Sequence, residues 1–261
     1  SKRNFDMLDF PGFTGAGQFI SLTIEPPVAE RQRYSINFRE PYLFGYPFAG
    51  DVELSLTETD LGPYTRGETG GSATVSYAIF RDLALSLGYQ NFRNEIKGIS
   101  NNAAFEIKRE AGVSTFAAVT LGAEYNTLNR AIFPSGGMRS SLQFALAGEP
   151  FAGDVNLWRI TASYTKAFHL LDLDEVREVA LALRAVSSWQ EPWGSTTRIP
   201  LSQRFFLGNI DPARSMNLRG FDRAGVGPRS GRDAIGGNFV LNGTAEVSMT
   251  VTPGFFWLET F

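Results

Sequence analysis

The sequence predicts an all-β protein, a transmembrane antiparallel β-barrel. Apolar and polar residues alternate with a period of two through most of the 261 residues, the pattern of strands that meet lipid on one face and water on the other. Uninterrupted apolar runs are only a few residues long, far short of the roughly 18 to 20 that a membrane helix needs. The composition, with 27 Gly, 13 Pro and 22 Phe, supplies many turns and rings and little reason for helices.

The strands follow in order. Ile20, Leu22 and Ile24 alternate with Ser21 and Thr23; Tyr34, Ile36 and Phe38 with Ser35, Asn37 and Arg39; Val52, Leu54 and Leu56 with Glu53, Ser55 and Thr57. Val75, Tyr77 and Ile79 alternate with Thr74, Ser76 and Ala78. The same phase holds for Leu83, Leu85, Leu87 and Tyr89, and for Val119, Leu121, Ala123 and Tyr125. It continues through Leu142, Phe144 and Leu146, then Trp158, Ile160, Ala162 and Tyr164, then Val179, Leu181 and Leu183, making nine candidates. A soluble sandwich also alternates. Two details disfavour it: the polar faces hold mostly Ser, Thr and Gly, as a lumen does, and rings gather near strand ends, as membrane girdles do.

Connectors alternate between tight, such as Arg81-Asp82 and Pro134-Ser135-Gly136-Gly137, and longer, such as Ile99 to Ser114. The whole chain reads as one barrel domain, 1–261. Its longest connector, 190–237, is expected to be an external loop folded into the lumen, because its aromatic and arginine content (Trp193, Arg198, Arg204, Phe205, Phe206) argues against disorder. Near its end stand Leu218-Arg219-Gly220-Phe221 and Gly227-Pro228-Arg229. On the following strand Ala245, Val247, Met249 and Val251 share the apolar face, which sends Glu246 to the lumen with Thr244, Ser248 and Thr250. An arginine taken out of bulk water needs a partner, and its planar fork suits a carboxylate. Glu246 is therefore the first candidate for Arg219, and Glu259 a second if it faces inward. Gly220 allows a positive φ, and Phe221 is expected to wedge the loop against the wall. On local sequence alone, a solvated loop arginine is the simpler reading of Arg219.

Other function classes have little to stand on. A net charge of −3 gives no reason to expect nucleic acid, and the absence of cysteine removes disulfides and thiolate metal sites. Asp172, Asp174 and Glu175 lack the glycine and distal glutamate of a calcium loop, so no metal is expected. Gly67-Glu68-Thr69-Gly70-Gly71-Ser72 lacks the lysine of a phosphate loop, the single histidine is His169, and neither Gly-x-Ser-x-Gly nor His-Glu-x-x-His occurs. Neither an enzyme nor a cofactor is expected. Ser1-Lys2-Arg3-Asn4-Phe5-Asp6 reads like the interior of a protein, so a native start is expected upstream.

Four segments in order carry a resemblance. Leu218-Arg219-Gly220-Phe221 with Gly227-Pro228-Arg229 is similar to the loop signature of BamA-type barrels of the bacterial surface antigen family, with leucine in place of the usual valine. Leu128 to Gly137, containing Phe133-Pro134-Ser135-Gly136-Gly137, resembles that family's Phe-Pro-Thr/Ser-x-Gly periplasmic turn. Gly236 to Val247 resembles the strand after the signature loop, and Glu40-Pro41-Tyr42-Leu43 another periplasmic turn.

The resemblance implies about ten or eleven strands of a sixteen-stranded barrel, truncated at both ends and without the polypeptide-transport-associated domains that precede such barrels. It favours Arg219 as an inward latch over a solvated arginine, and an acidic residue at the position of Glu259. It implies a bacterial outer-membrane protein that folds and inserts β-barrel proteins, with membrane lipids, nascent barrels and accessory lipoproteins as partners. A two-partner-secretion pore or a TamA-type translocation factor is the alternative reading.

Overall fold

The computed structural model describes residues 17–26, 31–173, 178–208, 215–218, 220–222, 224–252 and 256–260. Strands β1 (Phe19–Glu25), β2 (Arg31–Glu40), β3 (Phe48–Asp60), β4 (Thr65–Phe80) and β5 (Leu83–Lys97) are followed by a one-turn helix, α1 (Phe105–Lys108). Then come β6 (Gly112–Asn126), β7 (Met138–Ala147), β8 (Leu157–Asp172) and β9 (Glu178–Pro192). Within the long connector, β10 (Phe206–Gly208) pairs in parallel with β11 (Ser215–Asn217), and β12 (Arg229–Ser230) pairs antiparallel with β13 (Asp233–Ala234). Strands β14 (Phe239–Thr252) and β15 (Phe256–Thr260) complete the wall. Its order is β1 to β9, then β14 and β15, an 11-stranded meander in which every neighbour is antiparallel. The nine strands expected ahead of the long connector are all present.

Register explains why the alternation matters. Val75, Leu87, Leu121, Phe144, Ile160, Trp189 and Phe239 are successive cross-strand partners from β4 to β14. All seven are exposed. A continuous apolar row of this length is too large for a water-facing surface, and in hydrocarbon it is what a barrel wall presents. Among the described residues no second sheet covers that face, which removes the sandwich. The opposite face is small and polar: Ser141 and Ser163 hydroxyls meet at 2.7 Å, Ser188 donates to Thr161 at 3.0 Å, and Arg33 Nη2 pairs with Glu53 at 2.8 Å. Between neighbouring strands of the wall the backbone groups pair strand to strand, as a lipid environment requires.

Antiparallel order puts the connectors alternately at two ends. One end carries 41–47, Arg81-Asp82 and 127–137; the other carries 61–64, 98–111, 148–156 and 193–238. Two boundaries differ from the sequence reading. Strand β6 begins at Gly112, opposite Ile96, because pairing with β5 runs past the last clearly alternating residues. Strand β9 runs to Pro192, so Gln190 belongs to the wall, where its backbone N–H bonds to Asn238 O at 3.0 Å. Both apolar clusters lie at the long-connector end. One joins Tyr64, Ile96, Ala103 and Ile107 to Leu201 and Phe206. The other joins Phe116, Ala118, Ala147, Val155 and Leu157 to Ile199.

Candidate functional site

The long connector meets the wall through a series of polar attachments. At its start the Trp193 indole donates to Ala147 O at 3.1 Å. The neighbouring connector answers with Asn156, 1% exposed, whose amide nitrogen donates to Ser195 Oγ at 2.7 Å and to Glu149 Oε1 at 3.2 Å. Ser195 also donates to Glu149 at 2.6 Å. These hydrogen bonds, from Ser195 first and Asn156 second, hold the Glu149 carboxyl below its ordinary range.

Further along, residues 199–206 pack on inner-face residues. The Gln190 amide donates to Gln203 O at 2.9 Å, and the Arg159 guanidinium donates to Gln190 Oε1 from Nε and Nη2 at 2.9 and 2.7 Å. Arg204 donates to Ile199 O and Ile235 O, both at 3.0 Å. Burial pushes its guanidinium below the ordinary arginine value, with the Glu110 carboxylate opposing that shift. Phe205 and Gly237 exchange backbone hydrogen bonds of 2.9 Å, so the outgoing and returning limbs of the connector are tied side by side. The returning limb is also tied to the 98–111 connector: Asp233 Oδ2 accepts from Ala104 N at 2.7 Å, and Ser230 donates to Glu106 at 2.7 Å. The second contact lowers the Glu106 carboxyl, chiefly through the Ser230 hydroxyl.

The residues singled out by sequence fall into three groups. In the loop motif, Leu218 N donates to Gly208 O at 3.0 Å, and Gly220 has φ +84°, the left-handed conformation its lack of a side chain permits. Arg219 lies outside the described residues. Phe221 is 49% exposed, and the turn after it is closed by Gly225 N donating to Asp222 O at 2.8 Å. Gly227 also has positive φ, Pro228 O accepts from Ile235 N at 3.0 Å, and the Arg229 guanidinium gathers the carbonyls of Ala224, Gly225 and Arg232.

The carboxylates form the second group. Glu246 points to the inner face, is 7% exposed, and pairs with Arg184 of β9 at 3.0 Å. Glu259 stands on β15 opposite Ser248 of β14, and its side chain lies outside the described residues. The third group is the turn, organised by Asn129, whose Oδ1 accepts from Ser135 N and Gly136 N at 3.1 and 3.2 Å while its amide donates to Ser135 Oγ at 3.0 Å. Phe133 has φ +49°, Pro134 is buried, and Gly137 has φ +89°.

Arg159, Gln190, Gln203 and Asn156 were not singled out from sequence. Arg159 had a usable signal: a charge in the inward phase between the outward Trp158 and Ile160. Gln190, polar and in the inward phase beside Trp189, had a weaker signal and fell in the expected loop.

A membrane-spanning antiparallel wall, apolar outside and polar inside, with one long connector fastened to inner-face side chains, defines an outer-membrane β-barrel. The chain belongs to the Omp85 superfamily, whose domain model matches residues 13–261. Over 223 residues it is 29% identical to the outer membrane protein assembly factor BamA of Neorickettsia risticii (strain Illinois), covering 83% of this chain and 28% of that protein. The fold is similar to the crystal structure of BamA from Haemophilus ducreyi lacking POTRA domains 1–3, with a TM-score of 0.66 and 17% identity over 87% of this chain and 46% of that one. The chain thus spans little more than a quarter of the curated relative.

Proposed function

We propose that this chain forms the barrel of a non-enzymatic factor that folds and inserts β-barrel proteins into the bacterial outer membrane. The observation that carries the reading is the 29% identity to an assembly factor over 83% of this chain. The physical task fits the fold, because a nascent barrel in hydrocarbon has an unpaired strand edge that a second sheet can cover. Within this reading the 193–238 connector is a latch folded into the lumen. Arg219 of the Leu218-Arg219-Gly220-Phe221 motif is held by inner-face carboxylates, Glu246 first and Glu259 second, while Gly227-Pro228-Arg229 shapes the returning limb. The 127–137 turn is periplasmic, and the partners are membrane lipids, nascent barrels and accessory lipoproteins.

The relative's function favours assembly over a translocation pore. Depletion separates the two: general loss of outer-membrane proteins is the expected outcome, whereas loss of a single secreted passenger with the others intact overturns the assembly reading.

A further inference from the structure

We propose that Arg159 is a wall-borne anchor of the long connector, a positioning residue separate from the Arg219-Gly220-Phe221 motif. The inference deepens the assembly reading by assigning the latch a second attachment. The geometry that supports it stands without that reading.

Three chain segments converge on this one side chain. Its Nε and Nη2 both donate to Gln190 Oε1 of β9, and Nη2 also reaches Gln203 O at 3.2 Å and Gln203 Oε1 at 3.3 Å on the connector. Its guanidinium carbon lies 5.5 Å from the Phe116 ring centroid on β6 and 5.3 Å from that of Phe205 on the connector. Gln190 closes the ring by donating to Gln203 O. The groups that hold it are buried: Gln190 and Gln203 are 0% exposed, Phe116 1% and Phe205 8%. A guanidinium in such a place is attracted by both ring faces and satisfied through its fork, each interaction being stronger than in water.

The position gives the anchor leverage. Phe205 is hydrogen-bonded to Gly237, just ahead of β14, so a hold on Phe205 is a hold on both limbs. The next residue, Phe206, and nearby Leu201 cross to Tyr64, Ile96 and Ile107 on the far side. Arg159 therefore fixes the root from which the connector spans the barrel end. The Leu218 to Phe221 motif lies beyond Gly208 in the chain, and nothing in the Arg159 geometry depends on it.

Lysine cannot replace this group. It would keep the charge but lose the planar fork and the stacking face. The test uses the full-length protein reconstituted in lipid, with Arg159→Ala, Arg159→Lys and Phe205→Leu. Each variant is read by the cleavage rate of the connector under added protease, by single-channel conductance in planar bilayers, and by persistence of the folded barrel. The expected result is a roughly tenfold or greater rise in connector cleavage for both Arg159 variants, with higher conductance and the barrel still folded.

Wild-type behaviour of Arg159→Lys overturns the proposal, since charge alone would then suffice. If the Arg159 variants fail to fold, Phe205→Leu decides, because it alters only the connector side; unchanged cleavage and conductance there also overturn the anchor. If cleavage rises while cells carrying Arg159→Ala still assemble their outer-membrane proteins, the anchor stands and the assembly role of the connector falls.

Discussion

Arg184 Nη1 lies 3.0 Å from Glu246 Oε2, joining β9 to β14 on the inner face, yet the two side chains are unequally exposed at 45% and 9%. Removing either partner therefore has different consequences. Arg184→Ala removes a partner of a nearly buried carboxylate, and a loss of about 1–3 kcal/mol in barrel stability is expected. Glu246→Gln leaves an amide that can still accept from Arg184, and Arg184 can turn to water, so a loss below about 1 kcal/mol is expected. Denaturant titration of the refolded barrel ranks the two, and the opposite ranking refutes this account.

The proposed latch makes a second use of the same carboxylate. Arg219→Ala and Glu246→Ala are each expected to raise protease cleavage of the 193–238 connector, and the double variant should be no worse than the more affected single one, because paired groups are non-additive. Arg184→Ala tells the roles apart by lowering barrel stability without the same rise in cleavage. Strictly additive effects of Arg219→Ala and Glu246→Ala would end the pairing.

Adjacent glycines of the 127–137 turn have contrasting requirements. A Cβ on Gly137, at φ +89°, would stand 2.0 Å from Thr127 O, whereas one on Gly136 would come no closer than 3.7 Å to the Asn129 amide. Gly137→Ala is expected to destabilise the β6–β7 hairpin by more than about 2 kcal/mol, through backbone strain and the clash together. Gly136→Ala should stay within about 1 kcal/mol. Thermal unfolding of the two variants, compared with Asn129→Ala, checks this; equal midpoints would mean that the turn rearranges freely.

The wall was legible because its physics is local. A period of two, written in residues such as Leu85, Leu87 and Tyr89, fixes both the strand and the face that meets lipid. The connector was less legible because its order comes from distant partners. Gln203 is 0% exposed, and its hydrogen bonds come from Arg159 and Gln190 on earlier strands. Asn156 looks like a surface turn residue until Glu149, Ser195 and Thr196 surround it. Phe221 is half exposed, and a single aromatic beside Gly220 carries no information about which way its turn closes. Long-range contacts, which no local pattern encodes, determine which residues of the connector hold the wall.

Tyr64 gives the long-connector end a built-in response to alkali. Its ring is 2% exposed within the cluster of Ile96, Ile107, Leu201 and Phe206, and its hydroxyl has no hydrogen-bond partner among the described residues. Burial pushes the phenol from 10.0 up to about 12, against the smaller opposing pull of Arg66 and Arg204. The folded pKa is raised, so this stabilisation is complete below about 10 and is lost as pH climbs through about 12. Tyr64→Phe removes the ionisable group and the unpaired hydroxyl together, while keeping the ring. Stability at pH 8 is expected to be unchanged or up to about 1 kcal/mol higher. The variant should also lose less stability than the wild type between pH 10 and pH 12, the window of this shift. Connector cleavage rates of both proteins across that range make the comparison, and an identical alkaline loss in Tyr64→Phe would show that other groups open the cluster.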